Sequence, residues 1–246
     1  MKYLKKFEEK ALYESYISNS PILPNVSYTL DTNEVFYNPS IDTTTPNVYE
    51  FVDLGLSSGT QWATCNVGAT KPEEYGLYFA WGETKGYSGV IDTKQFRWSD
   101  YKFSIDDEGS AMSKYNSTDN LTTLELVDDA AYVSNNSCRI PTEDECEELI
   151  YNTTQISMEV NGVNGVQFTS DTNDNSIFIP FAGSVYDGSV FYLNSYGFIW
   201  SSSIAYNYSN PDYSSAYLMY FDSYDAYRDG YSRYYGFPIR PVKSNN

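Results

Sequence analysis

The sequence predicts a mixed α+β fold with short strands, one or two helices and much irregular structure. Three observations predict it: short apolar runs alternate with Gly, Ser and Asn turns from about Tyr49 onward, only one segment has a strong helical pattern, and 17% of the residues are aromatic. Disordered chains are poor in aromatic residues, so this chain is expected to fold. Its 246 residues are enough for one large domain, or for one domain and a small additional module.

The first 48 residues are predicted to form a small docking module and a linker. Apolar residues recur at three- and four-residue spacing over residues 1–20, which predicts an amphipathic helix that ends at the prolines that follow. Residues 26–30 and 34–37 are predicted to form a β-hairpin, and the Pro- and Thr-rich stretch 38–48 a linker. A module this short can hardly bury a core of its own, so it is expected to dock on other proteins or to pack on the main domain as an edge element.

The main domain is predicted to span residues 49–246. Strands are expected where apolar and aromatic runs stand between Gly, Ser and Asn turns. The predicted strand segments are FVDLGL (51–56), QWATCNVG (61–68), YGLYFAWGE (75–83), VQFTS (166–170), SIFIPFAG (176–183), GFIWSSS (197–203), AYLMYF (216–221) and YGFPIRPV (235–242).

One segment of the main domain has the features of a strong helix. It is EDECEELIYN (143–152), preceded by Arg-Ile-Pro-Thr. Thr142 and Glu145 have the spacing of a capping box, and acidic residues crowd the first turn, where the helix dipole favours them. A shorter helix is predicted to begin near residues 128–131.

Charge and residue types exclude several classes of function. The formal net charge is −18, so the chain is not expected to bind nucleic acid or an anionic membrane surface by charge. Histidine is absent, which excludes Ser-His, Cys-His and His-metal chemistry. No P-loop, GxGxxG motif or nucleophile elbow occurs, so no enzymatic activity is predicted, although paired carboxylates remain a catalytic device open to such a chain. No apolar stretch approaches the roughly 20 residues of a membrane span, so no membrane insertion is expected.

The cysteines and the N-terminal segment bear on the cellular compartment. Cys65, Cys138 and Cys146 have neither a CxxC nor a zinc-ligand spacing, so we expect reduced, partly buried thiols and no metal or other cofactor. The N-terminal segment has early lysines but no apolar run and no cleavage site, so no secretion signal is expected. We therefore expect the protein to be synthesised and folded in a cytoplasm. An extracellular role would need release by another route, such as inside an assembled particle.

The composition changes abruptly in the last third of the chain. From Phe168 to Val242 there is no Lys, Glu or Gln. In residues 201–235, Tyr, Ser, Asp and Asn account for 24 of 35 positions, and ten of these are Tyr. A segment of strands and turns explains the Tyr and the turn residues separately, but not the joint loss of Lys, Glu and Gln.

A binding surface explains the same composition more fully. Binding loops favour Tyr for its large, stiff, amphipathic contact area, and Ser and Asn for adaptable hydrogen bonds. Long charged side chains would lose more rotamer entropy on binding. Replacing the adenines of an Asn codon also yields Tyr, Ser, Asp and Gly but never Lys, Glu, Gln, Met or Trp. Apart from Trp200 and Met219, the last part of the chain matches this set, which hints at diversification directed at adenines.

Seven motifs follow one another between about residues 49 and 243. They are FVDLGLSSGTQWATCNVGA (51–69), EEYGLYFAWGET (73–84), CRIPTEDECEELI (138–150), NGVNGVQFTS (161–170), SIFIPFAG (176–183), YGFIWSSS (196–203) and YGFPIRPV (235–242). Together they resemble a large paralogous family from gut bacteria and their phages, whose members look like C-type-lectin-fold domains of the formylglycine-generating-enzyme type; several are the variable proteins of diversity-generating retroelements. The leading segments LKKFEEKALYESYI (4–17) and ILPNVSYTLDTNEVFYNP (22–39) also resemble those of structural and tail proteins of gut phages.

The resemblance implies that the domain consists of a constant scaffold and a variable binding surface. WGET, the RIPT helix, WSSS and GFPIRPV would form the scaffold, and the variable surface would lie at about 204–235. The ligand-binding residues expected on that surface are Tyr206, Asn207, Tyr208, Asn210, Tyr213, Tyr224, Asp225, Tyr227, Asp229 and Tyr231.

Strand alternation in SSAYLMYFDS places Ala216, Leu218 and Phe221 toward the core, whereas Tyr217 and Tyr220 could face either side. In the segment that follows, two arginines, at positions 233 and 240, flank the final strand and are expected to form structural salt bridges.

The chain departs from better-known relatives of this type. Formylglycine-generating enzymes need a reactive cysteine pair, but the three cysteines here lie in scaffold motifs, so that activity is not expected. The EPN, QPD and WND tripeptides of calcium-dependent lectins are absent, which argues against sugar binding through calcium. The acidic clusters at 106–108 and 128–129 are expected to be a solvated loop and a helix cap.

Taken together, the residues and the resemblance predict a receptor-binding protein at a phage or prophage tail fibre tip. Its ligand is expected to be a bacterial surface protein or glycan, the N-terminal module is expected to contact other tail or virion proteins, and a homo-oligomer, for example a trimer, would add avidity. The location would be the virion, or alternatively the bacterial cell surface if the protein is an adhesin of the same fold. The same residues leave open a carbohydrate-active enzyme and a purely structural virion protein.

Overall fold

The structure, a computed structural model, describes residues 48–88, 94–205 and 213–244. The helix, the hairpin and nearly all of the linker predicted for the first 48 residues lie outside these ranges. The described part is mixed α+β and consists mostly of strands in small antiparallel sheets, with two α-helices. The predicted α+β class is confirmed for these residues.

The strands form three three-stranded sheets and one hairpin within the described ranges. The sheets have the orders β1-β2-β11, β3-β4-β5 and β10-β9-β8, and β6 pairs with β7. Because β11 pairs with β2, the end of this part of the chain closes on its beginning. The strands are β1 (Phe51–Asp53), β2 (Thr60–Ala63), β3 (Thr153–Val160), β4 (Val163–Ser170), β5 (Ser176–Pro180), β6 (Ser184–Tyr186), β7 (Ser189–Phe191), β8 (Gly197–Ile204), β9 (Ser215–Phe221), β10 (Ala226–Ser232) and β11 (Val242–Ser244).

The two helices begin where the sequence predicts them. Helix α1 (Ala130–Ser134) starts after Asp129, whose carboxylate accepts a hydrogen bond from the backbone N–H of Tyr132 at 3.0 Å. Helix α2 (Glu143–Tyr151) has the predicted capping box: the N–H of Glu145 donates to Thr142 Oγ1, and the N–H of Thr142 donates to Glu145 Oε2. Each cap satisfies amide groups that the first turn leaves without helical partners.

The central strand β9 separates two apolar cores. Ala216 and Leu218 lie in one core, whereas Met219 and Phe221 lie in the other, on the side covered by α2. The burial predicted for Ala216, Leu218 and Phe221 is confirmed, although the three side chains enter two different cores. Side chains alternate along a strand with a period of two, so residues 218 and 221 point in opposite directions.

Two predicted strand segments, YGLYFAWGE and YGFPIRPV, are largely irregular. They touch through single bridges, such as Phe79 with Phe237, and only Val242 of the second segment belongs to a strand. The first of these segments is joined to β8 by reciprocal hydrogen bonds: Trp81 Nε1 donates to the carbonyl of Ser201, and Trp200 Nε1 donates to the carbonyl of Phe79, both at 2.8 Å. Both indoles are buried, as a scaffold role requires.

The predicted salt bridges of Arg233 and Arg240 are wrong. Both side chains are fully buried, and neither contacts a carboxylate in the described ranges. Arg240 donates to the carbonyls of Ala63 and Phe178 and to Asn66 Oδ1, and burial lowers its pKa to about 10. Backbone carbonyls take the place of the expected acids.

The acidic clusters and the cysteines are structural. Asp106 accepts hydrogen bonds from the N–H groups of Glu108 and Ser110 within an exposed loop, and Asp128 is paired with Lys102 and Lys114. All three cysteines are free, as predicted, and they are buried, where partial burial was expected.

Candidate functional site

The candidate site begins at the β9–β10 hairpin, where pairing brings tyrosines to one face. Tyr227 lies opposite Tyr220 and Tyr231 lies opposite Ala216. Directly opposed residues of an antiparallel pair share a face, so Tyr220, Tyr227, Asp229 and Tyr231 lie on the same side of the sheet. In the described ranges β10 pairs only with β9, which makes it an edge strand.

The turn that joins β9 to β10 is held by Asp222. Its Oδ1 accepts hydrogen bonds from the N–H groups of Tyr224 at 2.7 Å and Asp225 at 3.0 Å, and its Oδ2 accepts one from the hydroxyl of Tyr220 at 3.0 Å. The Tyr224 side chain projects from this turn and is 95% exposed. A fixed backbone therefore presents an open aromatic ring.

Ring contacts extend from the hairpin across three other segments. The Tyr220 ring lies 4.7 Å from that of Tyr227 and 5.7 Å from that of Tyr196, which is 5.2 Å from Tyr192. A second group of rings includes Tyr231 of β10. In it, the Tyr235 ring lies 5.7 Å from that of Tyr231, 5.1 Å from that of Tyr186 and 4.7 Å from that of Tyr234. We call this set the tyrosine surface: Tyr186, Tyr192, Tyr196, Tyr220, Tyr227, Tyr231, Tyr234 and Tyr235.

The tyrosine surface rests on a buried aromatic base. The rings of Phe198 and Phe237 stack 4.8 Å apart, and both contact Tyr231. None of the eight tyrosines is fully buried: Tyr192 is 47% exposed and Tyr227 36%, and the others are half-buried. Burial raises the pKa of the Tyr220 and Tyr235 hydroxyls, so they remain neutral hydrogen-bonding groups at ordinary pH.

The charges around the tyrosine surface are mainly carboxylates. The stretch 168–242 contains three arginines, and two of them are fully buried. The third, Arg228, points to the opposite face of β10, where it pairs with Glu143 and Glu147 of α2 and lies 4.4 Å from the Tyr217 ring. At the rim, Arg97 is paired with Asp187. This distribution disfavours an anionic ligand.

The structure describes six of the ten predicted ligand-binding residues. Tyr224 and Asp225 are exposed in the turn, and Tyr227, Asp229 and Tyr231 lie on one face of β10. Tyr213 is half-buried, at the opposite end of the hairpin from the turn, with a φ of 54°. The remaining four, Tyr206, Asn207, Tyr208 and Asn210, lie outside the described ranges.

Arg233 fixes the chain where it leaves the undescribed stretch 206–212. Its guanidinium donates to the carbonyls of Tyr213 at 2.8 Å and of Tyr115 and Lys114 at 3.1 Å, and to the hydroxyl of Tyr101 at 2.8 Å. Tyr115 and Tyr213 both have positive φ, a conformation that is strained for bulky residues. Four surrounding rings, the nearest that of Trp81 at 4.8 Å, complete the site of this buried cation.

Part of the tyrosine surface was not predicted. Tyr186, Tyr192 and Tyr196 precede the predicted variable stretch and lie beside it because the β6–β7 hairpin and the turn after it pack next to β8 and β9. The sequence did contain a signal for these three tyrosines, because the absence of Lys, Glu and Gln already begins at residue 168, well before the predicted variable stretch.

Two observations on the described ranges bear on other kinds of site. No group of three or more Cys, Asp or Glu side chains there could hold a metal ion. No helix there is long and apolar enough to span a membrane. Comparison of the chain with protein-family models, with curated proteins and with solved structures gives no match.

Proposed function

We propose that this chain is a receptor-binding protein whose tyrosine surface contacts a molecule on a bacterial cell. The observation that supports it most is two groups of partly exposed tyrosine rings, joined through the buried ring of Phe198, which contacts both Tyr220 and Tyr231. Rings held in this way lose little conformational freedom on binding, which favours affinity.

The electrostatics of the surface limit the ligand. With its arginines buried or paired, the surface offers neutral hydroxyls, rings and carboxylates. A glycan without acidic groups would stack its apolar faces on the rings, and a protein epitope would use the same rings as anchors. Highly phosphorylated or sulfated polymers are the ligands that this surface should bind least.

The proposed setting is the tip of a phage or prophage tail fibre, with a C-type-lectin-like domain of the retroelement-diversified type. Burial of Trp81, Trp200, Phe237 and Arg240 is consistent with the scaffold role that the motif resemblance implies. The open rings lie outside these motifs or at their ends, so they could change without loss of the core. A bacterial surface adhesin of the same fold would use the same surface.

A cell-binding experiment tests the proposal. The full chain, fluorescently labelled, is screened by flow cytometry against a panel of bacterial strains. The bound strains are then tested with a variant in which Tyr192 and Tyr227 of the tyrosine surface and Tyr224 of the adjoining β9–β10 turn are all replaced by Ala. If each ring is an anchor worth about 1 kcal/mol, the three together contribute about 3 kcal/mol, and this variant loses roughly a hundredfold in affinity.

Tyr151 provides the matched control. It is 69% exposed but lies at the end of α2, outside the tyrosine surface. Tyr151→Ala should bind cells like the unchanged protein. Equal binding by the triple variant and the control, with all proteins folded, would contradict the proposal, and so would the absence of binding to any strain.

A further inference from the structure

The strand β3 has an open edge that the proposed ligand-binding role does not use. β3 spans eight residues and pairs with β4 on one side, and no other described segment pairs with its second side. Its side chains Ile156 and Met158 are 54% and 38% exposed. A long edge strand with exposed apolar side chains invites pairing with another strand, and proteins usually cover or block such an edge.

The β3–β4 turn determines which backbone groups point outward. Val160 lies opposite Val163 across a two-residue turn, Asn161-Gly162, with φ values of 51° and 85°. The residues that flank a two-residue hairpin turn of this kind bond to each other, and bonded pairs alternate along the ladder. The even-numbered residues of β3 therefore bond to β4, whereas the N–H and C=O groups of Gln155, Ser157 and Glu159 point to the open edge.

These outward groups are arranged for pairing with an identical strand. When two copies of β3 run antiparallel about Ser157, Ser157 meets Ser157 of the second copy and Gln155 meets its Glu159. All three outward residues then bond backbone to backbone. The same register brings Ile156 against Met158 of the second copy on one face.

The charge of Glu159 favours the register centred on Ser157 over the register centred on Glu159. Glu159 is the one charged residue of β3, and in the register centred on Ser157 it faces a neutral glutamine. A register centred on Glu159 would set two carboxylates directly opposite each other, which is destabilising. The strand is thus complementary to itself in hydrogen bonding and in apolar contact, and in this register no like charges lie directly opposite each other.

We propose that β3 pairs with β3 of a second copy of this chain in the register centred on Ser157. The result is a two-fold symmetric, six-stranded sheet that continues β5-β4-β3 into its counterpart. No residue of β3 belongs to the tyrosine surface. Because each copy has a net charge of −18, the dimer strengthens as salt screens the repulsion.

Cysteine cross-linking of the full chain tests the register. In Ser157→Cys the two new cysteines lie opposite each other, at about the 5.5 Å Cα separation of a bonded pair, which is within disulfide range. In the matched control Glu159→Cys, the two cysteines are four residues out of register, roughly 13 Å apart, beyond that range. The native cysteines are buried and give little background.

Analytical ultracentrifugation tests the association itself. The unchanged chain should form a dimer whose fraction rises with protein concentration, from about 1 µM to about 1 mM, and with salt. Met158→Lys places a charge in the contact and should be monomeric at concentrations where the unchanged chain is dimeric. Ser157→Pro removes one outward N–H without touching the bonds to β4 and should weaken the dimer in the same way.

The outcomes divide cleanly. A concentration-dependent dimer that Met158→Lys abolishes, with cross-linking of Ser157→Cys and none of Glu159→Cys, supports the pairing. A monomer at all concentrations and salt levels overturns it. Equal cross-linking of the two cysteine variants overturns the register.

Discussion

Glu145 is expected to determine much of the stability of this domain to acid. Its Oε1 accepts hydrogen bonds from Thr60 Oγ1 and Arg139 Nη2, both at 2.6 Å, and its Oε2 accepts them from Arg139 Nη1 at 2.6 Å and from the N–H of Thr142 at 2.8 Å. One carboxylate thus joins β2, the start of α2 and the segment before it. Replacing it by glutamine keeps the shape and removes the charge.

The magnitude follows from the pKa of this carboxyl. Burial alone would raise the pKa, but the hydrogen bonds and the charge of Arg139 outweigh burial and lower it from 4.5 to about 2. A pKa that is lower in the folded state stabilises the fold above the unfolded value of 4.5, and that contribution is lost as the pH falls from 4.5 through 2. At about 1.4 kcal/mol per unit, the full contribution is about 3 kcal/mol, and about 1.4 kcal/mol of it is gone by pH 3.5.

The assay is urea unfolding of the unchanged chain and of Glu145→Gln at pH 7 and at pH 3.5. We expect the variant to be less stable by about 3 kcal/mol at pH 7, and this difference to shrink by about 1.4 kcal/mol at pH 3.5. A difference that is the same at both pH values would refute the assignment of the low pKa to this network.

Two further predictions concern the scaffold beneath the tyrosine surface. Arg233→Lys leaves several buried carbonyls without a donor, because one ammonium group cannot reach the four acceptors of the guanidinium. The midpoint of thermal unfolding should therefore fall by about 4–8 °C, which corresponds to about 2 kcal/mol. An unchanged midpoint would contradict this role of Arg233. Gly197→Ala would place a Cβ 2.0 Å from the Phe221 ring, which also packs against Phe168 and Phe181. The free energy of unfolding measured in urea should therefore fall by about 1–3 kcal/mol. An unchanged free energy of unfolding would mean that this core can rearrange.

Local sequence signals predicted local structure well. The capping box of α2 and the cap at Asp129 each depend on residues within three positions of each other, and both helices lie where these signals put them. The strands within VQFTS, SIFIPFAG, GFIWSSS and AYLMYF follow from apolar runs between turn residues. In YGLYFAWGE, by contrast, the backbone bonds reach distant single partners, such as Trp81 N–H to the carbonyl of Arg233, and no local pattern encodes them.

The candidate site was predictable in composition but not in geometry. The excess of tyrosine and the absence of lysine indicated a surface for binding, but strand pairing determines which rings share a face. This is why Tyr220 joins Tyr227 while Tyr217 lies on the opposite side with Arg228. Arg233 and Arg240 show the same limit, because a sequence displays charges but not the carbonyls that surround them in the fold.

Footprinting of tyrosine side chains on bound cells tests the central claim most directly. The full chain is labelled by hydroxyl radicals, free and bound to a strain that it recognises, and labelling at each tyrosine is measured by mass spectrometry. We expect Tyr192, Tyr224 and Tyr227 to be protected in the bound state while Tyr151 remains unchanged. Protection of Tyr151 with no change at the other three would place the contact elsewhere and contradict the account.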